Sequence, residues 1–314
     1  MKRTSLLVTL LAVTCLFSGC EIKISKPLLK MMVTTFSKEN KEVCFADSCV
    51  NKIGVPYVEN GAPAQVVDIY YAPEEVRKNA VLIDIHGGFY VGGNRKNNRA
   101  LASAFLKEGY DVVLVEYRLN DGVLDVSDEL ADCAAALDYL TAHAGELDLN
   151  KDRMFLTGDS AGGHLALYMA EGAQDKSLPV HPDLFEPKGV LLNCPSYDYA
   201  SFAVAGGFSD GALEWFLGPR YKDADWMESM SPRTFLKSYT GPLFVSTCTR
   251  DFIRTQSLML VEDCEALGRP VELVDIASED KAVGHVHNVT DPNLPASQEV
   301  NGKMVAFMEK AADR

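Results

Sequence analysis

The chain is poor in the features that mark several whole classes of protein. Its eight cysteines in 314 residues are too few for a scaffold built on disulfides. No run of basic residues interrupts a balance of 30 Lys and Arg against 44 Asp and Glu, a formal charge of −14. That balance argues against nucleic acid as a partner, because binding it begins with neutralising phosphates. Internal repeats, low-complexity tracts and an inter-domain linker are absent as well. What is there is a globular composition, 47% hydrophobic and 24% charged with 23 Gly and 14 Pro, which excludes disordered, collagen-like and coiled-coil chains. At roughly 100–200 residues per domain the length allows two domains, or one α/β unit with a large core.

The first nineteen residues read as a leader. Lys2 and Arg3 precede an apolar stretch from Leu6 to Phe17, then Ser18, Gly19 and Cys20, the layout of a secretory signal peptide. A spanning helix needs about 20 apolar residues, so an uncleaved anchor fits less well. Phe17-Ser18-Gly19-Cys20 resembles a bacterial lipoprotein cleavage box, with Phe17 where that pattern more often has Leu. The resemblance implies export, lipid on Cys20 and membrane attachment through it; plain secretion is the alternative. Without Lys2 and Arg3, 28 basic residues face 44 acidic ones, a formal −16. In an oxidising compartment Cys44 and Cys49 have the spacing to close a small disulfide ring or remain two free thiols. No His or Cys lies near enough to either to suggest zinc.

Beyond Gly61, short β-rich runs alternate with helical patterns. The runs are 65–71, 80–86, 111–117, 153–158, 188–194, 241–248 and 271–277, and the helical stretches 98–108, 127–143, 161–172, 255–267 and 297–310. Val112-Val113-Leu114-Val115 is apolar without alternation, as a strand covered on both faces must be. Ser127 is expected to cap the second helix. The alternation predicts a mostly parallel sheet with helices on both faces. Two stretches break it. Residues 20–61 form an N-terminal segment or cap, with Leu28, Met32 and Phe36 at helical spacing. Residues 196–240, rich in Gly and aromatics, are too long for a plain connection and predict a helical lid inserted in a catalytic unit of residues 62–314; surface helices with a small core of their own are the alternative.

The chemistry concentrates at Gly158-Asp159-Ser160-Ala161-Gly162-Gly163, a G-x-S-x-G sequence that follows a predicted strand and opens a predicted helix. That context makes Ser160 a candidate nucleophile. A sharp strand-to-helix turn strains the serine backbone and crowds its flanks, so nearly side-chain-free residues are required there. Upstream, another strand ends in His86-Gly87-Gly88-Phe89-Tyr90. Acyl transfer through an oxyanion needs backbone N–H groups aimed at the developing charge. The amides of Gly88, Phe89 and Ala161 are the candidate donors, with Gly87 in reserve. The Gly-Lys-Ser/Thr of a phosphate loop is absent.

These motifs resemble those of the α/β-hydrolase superfamily, specifically the esterases related to hormone-sensitive lipase, with their His-Gly-Gly-Gly loop and Gly-Asp-Ser-Ala-Gly-Gly. The likeness runs from about Gln65 to the C-terminus. It departs at Phe89, which replaces the third glycine and is expected to keep a negative φ. Kynurenine formamidase, another relative, tends to carry an aromatic residue there. The family order of nucleophile, acid and histidine implies Asp251 as the acid, with Asp198 as runner-up, and a base among His285 and His287, aligning His285 with it. His86 and His164 are expected to position, His143 and His181 to be surface or core residues. Tyr90, Trp215, Phe216 and, less specifically, Trp226 are candidates for the substrate pocket. The resemblance implies a serine hydrolase of short-chain or acetyl esters that needs neither metal nor organic cofactor. An amidase or formamidase is the rival. A peptidase is less favoured because no propeller-sized domain precedes the catalytic unit, and a non-catalytic binding protein on the same scaffold is the last alternative.

Overall fold

A computed structural model describes residues 24–36, 51–204 and 207–312. The leader, Cys20 and the Cys44 and Cys49 pair lie outside the described residues. Eight strands, β1 (Asn51–Pro56), β2 (Val66–Tyr70), β3 (Val81–Ile85), β4 (Asp111–Val115), β5 (Met154–Asp159), β6 (Val190–Asn193), β7 (Leu243–Cys248) and β8 (Val271–Ile276), form one sheet in the order β1-β2-β4-β3-β5-β6-β7-β8. From β4 through β3 to β8 every pairing is parallel, and β2 pairs antiparallel with both β4 and β1.

Every residue of β3, β4, β5, β6 and β7 is buried. The pleat sends alternate residues to opposite faces. Leu82, Val112, Leu114, Phe155, Leu191 and Phe244 join one core with Phe105, Val289, Met304 and Met308, beneath α2 (Arg99–Lys107), α10 (His287–Thr290) and α11 (Pro295–Ala312). Ile83, Ile85, Val113, Leu156, Leu192 and Val245 join the other, beneath α3 (Val126–Ala142), α4 (Ala161–Gln174) and α9 (Arg254–Ala266). Helices therefore cover both faces. None of the described helices is long and apolar enough to cross a membrane.

Three details depart from the sequence pattern. Strand β1, which the pattern does not signal, is a half-exposed edge whose register shifts between Lys52 and Val55 around Gly54 at φ +67°. Helix α3 is capped two residues before Ser127: Asp125, extended at φ −137°, is the cap, and its carboxylate accepts from the Ser127 amide while the Asp128 side chain accepts from the Asp125 amide. The lid does not carry a core of its own. Its helices, α5 (Ser201–Val204), α6 (Asp210–Leu217), α7 (Ala224–Ser229) and α8 (Pro232–Phe235), contribute Phe216, Leu217, Trp226 and Met227 to the α4 side of the sheet core. The N-terminal helix α1 (Lys26–Phe36) joins them. The Ile24 amide donates to Gly207 O at 2.8 Å and Ile24 O accepts from the Ser209 amide at 3.0 Å, so the N-terminal segment and the lid form one cap.

Candidate active site

Ser160 sits between β5 and α4 at φ +54°, ψ −119°, a backbone strain of roughly 1–3 kcal/mol that only a tightly determined surrounding sustains. The surrounding is visible atom by atom. A Cβ on Gly158 would lie 2.3 Å from Gly162 O, one on Gly162 2.0 Å from Ile85 O, and one on Gly163 2.9 Å from Pro195 Cβ. The Ser160 amide donates to Asn193 O at 3.0 Å, and its carbonyl accepts from the Ser196 and Gly163 amides. The turn is therefore clamped between β3 and the end of β6.

The loops after β7 and β8 bring Asp251 and His285 together, with His285 Nδ1 2.6 Å from Asp251 Oδ1. Asp251 is 2% exposed. Burial raises its pKa, but His285, the Ile253 amide at 3.0 Å and the Thr247 hydroxyl at 2.8 Å outweigh that, and the carboxyl ends below its ordinary value. It is thus held as a carboxylate that fixes the imidazole with its Nδ1 proton inward and leaves Nε2 as the acceptor. Val286, at φ +52°, donates its amide to Cys194 Sγ at 3.3 Å, one residue beyond the Asn193 that holds Ser160. One strand end thus carries both the serine turn and the histidine loop. The alternatives are placed elsewhere. Asp198 accepts from Arg233 at 3.1 Å and from the Ser201 amide, and buried His287 reaches Ser297 Oγ at 2.9 Å, burial lowering its pKa.

The loop after β3 corrects two expectations. Gly87 does not serve in reserve: its amide donates to Asp159 Oδ1 at 3.0 Å, so that proton is committed. The amides of Gly88, Phe89 and Ala161 have no hydrogen-bond partner among the described residues, and Ala161 opens α4, whose first N–H groups lack intrahelical acceptors. Phe89 does not keep a negative φ either. It stands at +57°, followed by Tyr90 at +62°, so the loop retains the left-handed turn of a glycine despite the side chain. Ring packing holds it there, stacked on Phe252 at 5.8 Å and edge-on to Phe216 at 6.4 Å.

Beneath the loop, polar groups fix its base. His86 is fully buried, stacked on Tyr117 at 4.4 Å, with Nδ1 2.8 Å from Gly87 O. Its Nε2 faces Glu116 at 3.4 Å, which Arg95 also holds at 2.9 Å. The Asn98 amide group donates to both Asp84 and Asp159. Buried without a charge partner and facing Asp159, Asp84 is pushed well above the ordinary carboxyl range. Burial pushes the pKa of His164 down to about 4, so it is a neutral ring that donates its Nε2 proton to Met230 O at 2.7 Å and accepts at Nδ1 from Tyr90 Oη at 2.8 Å.

The pocket candidates separate. Phe216, 1% exposed, packs against Phe89. Tyr90, 2% exposed, is a buried post tied to His164 rather than a free wall, because its hydroxyl needs a partner once covered. Trp215 turns away toward α1, with Lys30 Nζ 5.2 Å above its ring, and Trp226 lies under Arg220 at 4.3 Å. The sequence pattern does not signal Phe252. Its ring lies 4.3 Å from His285 as well as on Phe89, and its one signal is adjacency to Asp251.

A mostly parallel sheet with helices on both faces, a strained serine at the tip of its β5 turn and a His–Asp pair on the loops after β7 and β8 define an α/β-hydrolase. The chain belongs to the BD-FAE family, whose family model matches residues 67–263. Among curated proteins it is 28% identical to carboxylesterase NlhH of Mycobacterium tuberculosis over 250 residues, 77% of each chain. It is also 28% identical to an acetyl esterase of Salmonella schwarzengrund over 213 residues, 64% of each. Of solved structures, esterase B from Lactobacillus rhamnosis bound to an inhibitor superposes with a TM-score of 0.80, at 24% identity, covering 90% of this chain and 94% of that one; this likeness concerns the fold.

Proposed function

We propose that the protein is a carboxylesterase-type serine hydrolase acting on short-chain or acetyl esters. The observation that carries this is the 2.6 Å contact of His285 with a buried Asp251 carboxylate, on loops tied to the strand end that holds the strained Ser160 turn. Ser160 Oγ attacks the ester carbonyl while His285 Nε2 takes its proton, and the resulting oxyanion accepts hydrogen bonds from the amides of Gly88, Phe89 and Ala161. Collapse expels the alcohol, which receives the proton from the imidazolium, and leaves an acyl group on Ser160. Water deprotonated by His285 then releases the acid. Removing one donor from such a hole costs roughly 10²–10³ in rate.

Phe89, Phe216 and Phe252 crowd the loop, which favours a small acyl group. The activities named for the mycobacterial and Salmonella relatives support the ester reading. The aromatic Phe89 keeps formamides as a second substrate class. A panel of nitrophenyl esters from acetate to palmitate, with an aryl formamide, tests the reading: acetate or butyrate is expected to turn over fastest, and Ser160→Ala to lose roughly 10³-fold or more with its melting temperature retained. Full activity in that variant contradicts the mechanism, and preference for the formamide replaces the substrate class.

We further propose export, with Cys20 lipidated and the catalytic unit attached to the envelope through it. Two acyl chains on that residue suffice for stable anchoring. The wild-type protein is expected in the membrane fraction and Cys20→Ala in the soluble one; the same distribution for both refutes the anchor.

A further inference from the structure

Cys194 is a buried thiol at the end of β6, in a left-handed conformation at φ +48°. No step of the proposed reaction uses it. Its Sγ, a carboxylate oxygen of Asp251 and a ring nitrogen of His285 all lie within 4.8 Å of one another. A thiolate, an imidazole and a carboxylate converging at this range form a donor set of the kind that binds zinc, whose bonds to such atoms are about 2.0–2.3 Å long.

We propose that Cys194, Asp251 and His285 form a binding site for a borderline-soft divalent cation, zinc, whose occupation switches hydrolysis off. The surroundings fit that role. The Val286 amide already donates to Sγ at 3.3 Å, and the Thr247 hydroxyl donates to Asp251 Oδ2 at 2.8 Å, contacts that orient ligands from behind. Water from the cleft fills the fourth position, reached past the His285 side chain, which remains 11% exposed. Thiolate and carboxylate together neutralise the ion. One proton leaves the Cys194 thiol for solvent, and nothing is oxidised. The cation takes the Nδ1 lone pair, so the ring proton moves from Nδ1 to Nε2, and Nε2 then has no lone pair with which to accept a proton from Ser160. Inhibition, unlike binding, rests on the reading of His285 as base.

The test combines a rate and a spectrum on the full chain. Zinc is titrated against hydrolysis of an acetate ester by the wild type, Cys194→Ser and Cys194→Ala, each compared with its own metal-free rate, and cobalt(II) is added as an optical probe. Inhibition of the wild type with a constant on the order of micromolar, reversed by chelator and weakened roughly tenfold or more in both variants, supports the site. So does a thiolate-to-cobalt charge-transfer band at one equivalent, absent from both variants. A wild type without that band overturns the proposal whether or not the variants fold, as does equal zinc sensitivity in all three. A band with unaltered hydrolysis leaves the site standing and contradicts the assignment of His285.

Discussion

Phe89 places a large side chain where the turn asks for glycine. A left-handed conformation costs a non-glycine residue roughly 1–2 kcal/mol, and here the ring contacts with Phe252 and Phe216 offset it, at about 0.5–1.5 kcal/mol each. Removing the ring alone separates the two effects. Phe89→Gly and Phe89→Ala lose the same packing, but only the alanine retains the strain, so Phe89→Gly is expected to be more stable by about 1 kcal/mol, or roughly 2–4 °C in melting temperature. The reverse order in a thermal melt shows that the loop relaxes. At this scale legibility depends on how local a constraint is. Ser160 and Gly158 are readable because the crowding there is set within one turn, Gly158 against Gly162 O. The pairing of Phe89 with Phe252 joins two distant loops, and nothing near either residue signals it. His285 and His287 are nearly adjacent in sequence, yet left-handed Val286 turns one toward Asp251 and sends the other to Ser297.

The elements that hold the site are those that the hydrophobic pattern marks most plainly, the fully buried strands β3, β5, β6 and β7. Their ends carry the loop of Gly88 and Phe89, the serine turn, Cys194 and Asp251. The glycines of the helices divide by what they meet. In α4, a Cβ on Gly162 meets the Ile85 carbonyl at 2.0 Å, whereas in α11 one on Gly302 meets nothing within 4 Å. Gly302→Ala is therefore expected to stabilise by roughly 0.5–1 kcal/mol, the helix propensity difference. Gly162→Ala should push α4 off β3 and abolish hydrolysis along with much of the folded yield. Chemical denaturation of both variants checks the pair, and equal stability would contradict the clamp around Ser160. Strand β1 escaped the pattern because an exposed edge with Lys52, Gly54 and Pro56 buries too little to show a period. The lid's helices are legible in kind but not in allegiance, since Phe216, which meets Phe202 and Phe208 within the lid, also joins the core of the sheet.

Among the described residues, Asp84 below the loop after β3, Glu129 in α3 and Glu171 in α4 are carboxyls buried without a cation bonded to them. Neither Glu171 oxygen has a hydrogen-bond partner, and burial raises all three well above the ordinary range, Arg269 opposing only weakly at Glu171. The folded state therefore keeps a proton that the unfolded chain gives up, and stability falls as pH rises from the unfolded pKa toward the raised folded one. The slope is about 1.4 kcal/mol per pH unit for each such group. Glu171→Gln removes one of these protons from the linkage. Its melting temperature is expected to decline less than that of the wild type as pH rises above the ordinary glutamate range, and parallel curves would show that Glu171 is ionised in the fold.

The reading of the molecule as a serine hydrolase is tested most directly by treating the full chain with a fluorophosphonate and locating the adduct by mass spectrometry. A single phosphonyl group on Ser160, with ester hydrolysis lost in proportion, is the expected result. An unlabelled protein, or a label on any other residue with hydrolysis intact, would contradict it.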